Sequence, residues 1–288
     1  MNFFRKIVLG LITLMMAGAL IIAMKFLLFD KEAGAQVGPQ KQSQTTGVKS
    51  GPTTLVKVKI KEIKDTGFLR LINAQHSTST TKDSDLVKSE DGLFRYQKVI
   101  RPDLIQFMDF AKQKNSSLYI ASAFRSKKDQ EEIYATTKDK SLVQLPGNSE
   151  HQTGLALDLQ PVKALKGVFG DGLKKEIEFM ANNSWRYGFI QRYPKGKQDI
   201  TGISFEYWHY RYVGRPHAEY MFKNDLVLEE YLDLIKYKGE LKINTNEGDY
   251  RVYWREPESG IIQFIGTNDY VISSTNTGAY LITVKVED

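Results

Sequence analysis

Hydrophobic positions divide the chain into four zones. Ile7 to Met24 is an unbroken apolar run in which only Thr13 is polar, preceded by Arg5 and Lys6. As a helix it would be about 27 Å long, close to the thickness of a bilayer core. Its positive flank on the N-terminal side predicts a cytoplasmic N-terminus, with the remainder outside a cell membrane. A cleavable signal peptide is the alternative, because Ala33-Gly34-Ala35 offers a cleavage pattern. The length of the run and the intervening Lys25, Asp30, Lys31 and Glu32 favour an uncleaved single-pass transmembrane helix over residues 1–29. Residues 30–54 are Gln, Ser, Thr, Gly and Lys with two prolines, and read as a flexible linker spanning on the order of 25–30 Å.

From Leu55 the periods become those of folded elements. Leu55-Val-Lys-Val-Lys-Ile-Lys alternates as a strand does, and Phe68-Leu-Arg-Leu-Ile72 is a second candidate. Pro102 opens a helix with Leu104, Phe107, Met108 and Ala111 on one face. Leu118–Phe124 reads as a buried strand leading into a helix through Gln130, Ile133 and Tyr134. Gly154–Leu159 reads as a strand, Leu173–Asn182 as a helix and Trp208–Val213 as an aromatic-rich strand. Beyond Lys238 the segments alternate with period two and are separated by Gly, Asn, Thr and Pro turns. The expected fold is α+β: a small antiparallel-sheet core with flanking helices over 55–238, then a β-rich appendage over 239–288.

Composition narrows the chemistry. The formal net charge is +6, of which Arg5, Lys6 and Lys25 supply three before the first acidic residue. No Lys/Arg cluster is dense enough for a nucleic-acid footprint, so no nucleic-acid partner is expected. With no cysteine in the chain, disulfides, thiolate nucleophiles and Cys-type zinc sites are excluded, and any metal must be held by His and carboxylates.

Two of the four histidines, His151 and His209, keep unusual company. In Ser149-Glu-His-Gln-Thr-Gly-Leu-Ala-Leu-Asp158, the leucines at 155, 157 and 159 share one face of a strand and leave Asp158 on the other. A carboxylate in so apolar a strand is costly without compensation. A turn at Thr153-Gly154 would bring His151 back over Asp158. Phe205-Glu-Tyr-Trp-His209 adds Glu206 and His209. Two His and one Asp form a three-ligand N/O set that leaves a coordination position open for water, with Glu206 placed as a general base. Two plainer readings stand beside it: a structural His–Asp hydrogen bond, and an amphipathic strand over 206–212.

Four ordered stretches, Ser122-Ala-Phe-Arg-Ser126 with Gln130, Ser149 to Asp158, Trp185 to Pro194, and Glu206 to Gly214, resemble the VanY-type D-Ala-D-Ala carboxypeptidases. These are zinc peptidases of peptidoglycan metabolism related in fold to the LdcB-type L,D-carboxypeptidases. The resemblance implies Zn2+ on His151, Asp158 and His209, Glu206 as general base, and Arg125, Gln130 and Ser149 against the substrate. Arg125 would grip a carboxylate or an oxyanion. The implied partner is a peptidoglycan stem peptide ending in D-Ala-D-Ala, and trimming it would contribute to glycopeptide resistance. An L,D-carboxypeptidase on tetrapeptide stems and a non-catalytic wall-binding module are the rivals. The family usually carries Pro where this chain has Tyr207, which bears on the placement of Glu206. Trp208 is expected to pack beside His209, Trp185 and Tyr187, Tyr210 and Tyr212 to be core, His217 to lie at a surface helix start, and His76 to have no role.

Overall fold

The computed structural model describes residues 54–78, 81–167 and 170–286; the apolar run 7–24 and the linker up to residue 53 lie outside them. Among the described residues no helix is long and apolar enough to cross a membrane.

The central element is a four-stranded antiparallel sheet, built from β4 (Leu118–Ser122), β5 (Ala156–Pro161), β6 (Phe189–Tyr193) and β7 (Glu206–Tyr212) in the order β4-β5-β7-β6. β5 and β7 are buried at every position. Their apolar face, with Leu157, Leu159, Tyr210 and Tyr212, packs against helix α1 (Arg101–Gln113) through Leu104, Phe107 and Ala111. The spacing of those three is helical, and Pro102 occupies the first turn, where its missing N–H leaves no bond unmade. Helix α2 (Lys127–Thr136) starts in a capping box: Ser126 Oγ accepts from the Asp129 N–H while Asp129 Oδ2 accepts from the Ser126 N–H. Helix α3 (Asp171–Asn183) brings Leu173 and Ile177 onto Tyr207 and Trp208.

A second layer lies on helices α4 (Arg215–Lys223) and α5 (Leu228–Lys238). Met221, Leu228, Tyr231, Leu232 and Ile235 form one cluster with Leu241, Ile243, Val252, Trp254 and Leu281 of the C-terminal β unit. That unit contains β8 (Glu240–Thr245), β9 (Gly248–Arg255), β10 (Ile261–Gly266), β11 (Tyr270–Ser274) and β12 (Tyr280–Val286), with sheet order β11-β12-β9-β8. β1 (Thr54–Lys59), the first element after the linker, pairs along its length with β10, from Thr54 opposite Gly266 to Lys59 opposite Ile261. Its Val58 is buried with Ile262, Phe264 and Ile282. The two ends of the folded chain therefore meet in one β unit. A short hairpin of β2 (Leu86–Lys88) and β3 (Arg95–Gln97) completes the fold.

Phe68-Leu-Arg-Leu-Ile72 is not a strand. Leu69, Leu71 and Ile72 are buried as the periodicity suggests, but the carbonyls of Gly67, Phe68 and Arg70 all accept from Arg211 Nη2. A guanidinium takes the place a neighbouring strand would have occupied. His217 is likewise not on the surface: it is buried in α4 between Tyr231 Oη at 2.7 Å and Thr283 Oγ1 at 2.9 Å. Two hydroxyls satisfy both ring nitrogens, which makes the site habitable for a neutral imidazole.

Candidate active site

His151 lies in a single 3-10 turn, Glu150–Thr153, closed by Gly154 in the left-handed conformation at φ 67°. A Cβ there would lie 2.9 Å from Leu86 and 3.2 Å from the Gln97 amide nitrogen, so the turn requires glycine on both counts. The turn places His151 over β5, where Asp158 stands opposite His209 as a cross-strand pair. His151 Nε2 is 3.3 Å and His209 Nδ1 3.1 Å from the same oxygen, Asp158 Oδ1. The three residues are buried, and one ligand atom from each lies within 4.8 Å of the others.

The protonation pattern is informative. His151 Nδ1 is 2.7 Å from the Ala123 carbonyl, which can only accept, so Nδ1 carries the proton. Burial, with Arg125 and His209 nearby, pulls the His151 pKa down, so the ring is neutral and Nε2 presents a bare lone pair. Burial alone would raise Asp158, but the two imidazoles hold its carboxyl far below the carboxylate range. A neutral His151 would set its Nε2 lone pair against the Asp158 carboxylate at 3.3 Å in a buried site. A cation between them resolves the conflict, and two imidazoles with a carboxylate are the donor types of a catalytic zinc site. Burial pulls His209 down, but its contacts with Asp158 and Glu150 more than offset this and lift it to about 9, so without a metal a proton takes the cation's place.

Glu206 and His209 are three apart on β7, which in a regular strand would aim them to opposite faces. The β6/β7 register breaks between Gln191, opposite Tyr210, and Tyr193, opposite Glu206, so four residues of β7 run against two of β6. This bulge turns Glu206 back into the site, with Oε2 3.8 Å from His209 Nδ1. Burial pushes its pKa up to about 8. Tyr207, in the position of the family proline, is buried on the far side against Trp208 and α3, and Glu206 still reaches the site.

Arg125 follows β4. Its Nη1 donates to Gln130 Oε1 at 2.7 Å and its Nη2 to Ser122 Oγ at 3.1 Å, and it lies 3.9 Å from Asp158 Oδ2. Gln130 in turn donates to the Gln144 carbonyl, tying α2 to the opposite wall. Arg125, Gln130, Ser149, Glu206 and Trp208 line one pocket with His151, Asp158 and His209. The sequence-predicted residues are therefore brought together. His76, half-buried against Asn73, and His217 lie outside that lining.

Sequence reasoning passed over Tyr193, whose ring centroid is 5.0 Å from that of His209. It also passed over a buried ionic network behind the site. Arg192 Nε and Arg211 Nη1 each donate to Glu150 Oε1 at 2.9 Å, and Arg192 forms a two-pronged pair with Glu229 of α5. Both arginines are fully buried. The available signal was the presence of Arg192 and Arg211 inside otherwise apolar or aromatic strands; Glu150, in a polar turn, gave none.

Comparison with known proteins follows the same residues. The VanY D-alanyl-D-alanine carboxypeptidase family profile matches residues 94–215. A D-alanyl-D-alanine carboxypeptidase of Enterococcus faecalis is 34% identical over 209 residues, covering 66% of this chain and 76% of the relative. One from Enterococcus faecium is 30% identical over 70% of this chain, which spans 63% of that relative's length. Among solved structures, the vancomycin resistance D,D-dipeptidase VanXYg, in complex with a D-Ala-D-Ala phosphinate analog, is 27% identical with a TM-score of 0.67. It covers 82% of this chain and 100% of its own. The D,D-pentapeptidase VanY from the VanB-type resistance cassette, a point mutant in complex with Zn(II), is 34% identical with a TM-score of 0.50, covering 57% and 98%. The LdcB LD-carboxypeptidase matches at 34% identity and a TM-score of 0.50, covering 58% and 86%. This chain belongs to the VanY-type D-alanyl-D-alanine carboxypeptidase family.

Proposed function

We propose that this protein is a zinc-dependent D,D-carboxypeptidase that releases the terminal D-alanine from peptidoglycan stem peptides ending in D-Ala-D-Ala. The observation that carries the proposal is the buried convergence of His151 Nε2, Asp158 Oδ1 and His209 Nδ1 within 4.8 Å of one another, with Glu206 beside them. The same donor types are what a zinc ion with an open coordination position takes. His151, Asp158 and His209 are the residues that would hold it, with Nε2, Oδ1 and Nδ1 as the atoms that face one another. When bound, zinc supplies a Lewis acid that makes water nucleophilic near neutral pH.

Glu206 accepts the proton of the attacking water on its carboxylate and returns it to the leaving D-alanine amine. It must be unprotonated to begin, which its elevated pKa makes possible only with positive charge nearby. Arg125, held in a fixed orientation by Gln130 and Ser122, offers its remaining N–H groups to the peptide's terminal carboxylate or to the oxyanion. Arg125 and Glu206 are buried, and the low local dielectric strengthens each of these interactions.

Trimming the stem removes the D-Ala-D-Ala terminus on which glycopeptides act, which supports a role in vancomycin resistance. The apolar run at 7–24 with its flanking Arg5 and Lys6 supports placing the enzyme on the outer side of a cell membrane as a single-pass protein. The second reading, an L,D-carboxypeptidase, draws on the LdcB likeness and uses the same metal chemistry. Released D-alanine, measured from pentapeptide and from tetrapeptide with and without a chelator, decides between them. Release from pentapeptide alone is expected; release from tetrapeptide alone assigns the L,D activity, and none from either by zinc-loaded protein rejects the enzyme reading.

A further inference from the structure

Glu150 precedes the ligand His151 in sequence but points away from it, towards His209. Its Oε2 and the Nε2 of His209 are both buried, neither has a hydrogen-bond partner meeting normal geometry among the described residues, and they stand 3.5 Å apart. This is the long end of hydrogen-bond reach. Two orphaned buried atoms of complementary type at that separation are costly to leave unpaired. We propose that Glu150 is a positioning residue. Its Oε2 accepts the Nε2–H of His209 and so fixes the tautomer that presents Nδ1, beside Asp158 and His151, to the zinc.

The carboxylate is built to hold that orientation. Oε1 is pinned by Arg192 Nε and Arg211 Nη1, both at 2.9 Å, so Oε2 is the oxygen left to face His209. The arginines are themselves fixed: Arg192 by Glu229 of α5, and Arg211 by the carbonyls of Gly67, Phe68 and Arg70. A carboxylate on the far nitrogen of a metal-bound imidazole sets ring orientation and raises ligand basicity. A purely structural Glu150 would neutralise two arginines and have no bearing on the His209 ring.

The inference rests on the zinc reading of the site, and one measurement separates their failures. The full chain, with its histidine rings labelled with nitrogen-15, is titrated with zinc and followed by long-range proton–nitrogen correlation; four histidines keep the spectrum simple. Expected are a metal-bound Nδ1 in His209 and a protonated Nε2 whose hydrogen is protected from exchange. Zinc bound with His209 Nε2 as the ligand, or with Nε2 unprotonated, overturns the role of Glu150 alone. Failure of the native chain to bind zinc overturns both. Glu150→Gln, nearly isosteric, should lower zinc affinity by roughly 10- to 100-fold in chelator competition, speed exchange of the His209 ring proton, and lower kcat with KM unchanged. Unchanged affinity and unchanged ring protection in Glu150→Gln overturn the proposal. Should that variant fail to fold, because it removes the counter-charge of two buried arginines, the ring measurement on the native chain decides.

Discussion

Asp158 and His209 face each other across the β5/β7 pair, with Oδ1 3.1 Å from Nδ1, so the register of one strand pair sets two of the three residues of the His151–Asp158–His209 cluster. A one-residue slip of either strand would turn that strand's side chain to the opposite face and part the pair. Ligation is thus coupled to sheet formation. His209→Ala is expected to leave the fold intact and to weaken zinc binding by more than the roughly 10- to 100-fold of an outer-shell change. Chelator competition, alongside far-UV circular dichroism, checks both halves of the statement.

Glu206→Gln should retain zinc and lose about 100- to 10,000-fold in kcat, the usual contribution of a general base. Retained turnover in the zinc-loaded variant would remove Glu206 from that role.

The pH dependence of the native enzyme follows in sign. Burial lifts Glu206 to about 8 in the metal-free site, so the carboxyl is mostly protonated below that pH. A bound dication favours the carboxylate and lowers the value. The acidic limb of kcat/KM should therefore rise with pH, have its midpoint below 8, and be absent in Glu206→Gln.

Arg125→Ala should reduce kcat/KM by roughly 10- to 150-fold, corresponding to about 1.5–3 kcal/mol for a hydrogen bond to a charged group. Substrates with the terminal carboxylate amidated separate its two possible contacts. Equal loss on amidated and free peptides assigns Arg125 to the oxyanion, whereas loss confined to the free acid assigns it to the terminus.

His217 gives an acid-stability prediction. Burial holds its pKa at about 3, below the ordinary value of 6.5. The neutral ring's contribution is fully present above pH 6.5 and fades as pH falls towards 3. At pH 5 the loss is about 2 kcal/mol. His217→Gln should be less stable at pH 7.5, yet lose less on acidification to pH 5; urea midpoints at the two pH values test this.

Asp158 and His209 stood out because a carboxylate in Leu-Ala-Leu-Asp-Leu and a histidine in an aromatic strand are each expensive without a purpose, while the ligand reading itself came from the four ordered stretches that resemble the VanY family. The helix at Pro102 and the strands β4, β5 and β7 were legible from period and length. What the sequence hid depends on partners far away in the chain. Phe68–Ile72 has a strand's periodicity, but its carbonyls are claimed by Arg211, about 140 residues on. His217 looks like a polar residue at a helix start, and only Tyr231 and Thr283 together make it a buried one. Glu150 reads as a charged turn residue until Arg192 and Arg211 converge on it. The i, i+3 placement of Glu206 and His209 likewise depends on a bulge that no local signal announces.

The pairing of β1 with β10 bears on how the folded part carries force. Tension applied through the segment before Thr54 falls first on that ladder and on Val58 in its apolar cluster, while β5 and β7 lie further along the chain. The first described strand is thus held by the last part of the fold, so whatever displaces β1 acts on the C-terminal β unit before it reaches β5 and β7.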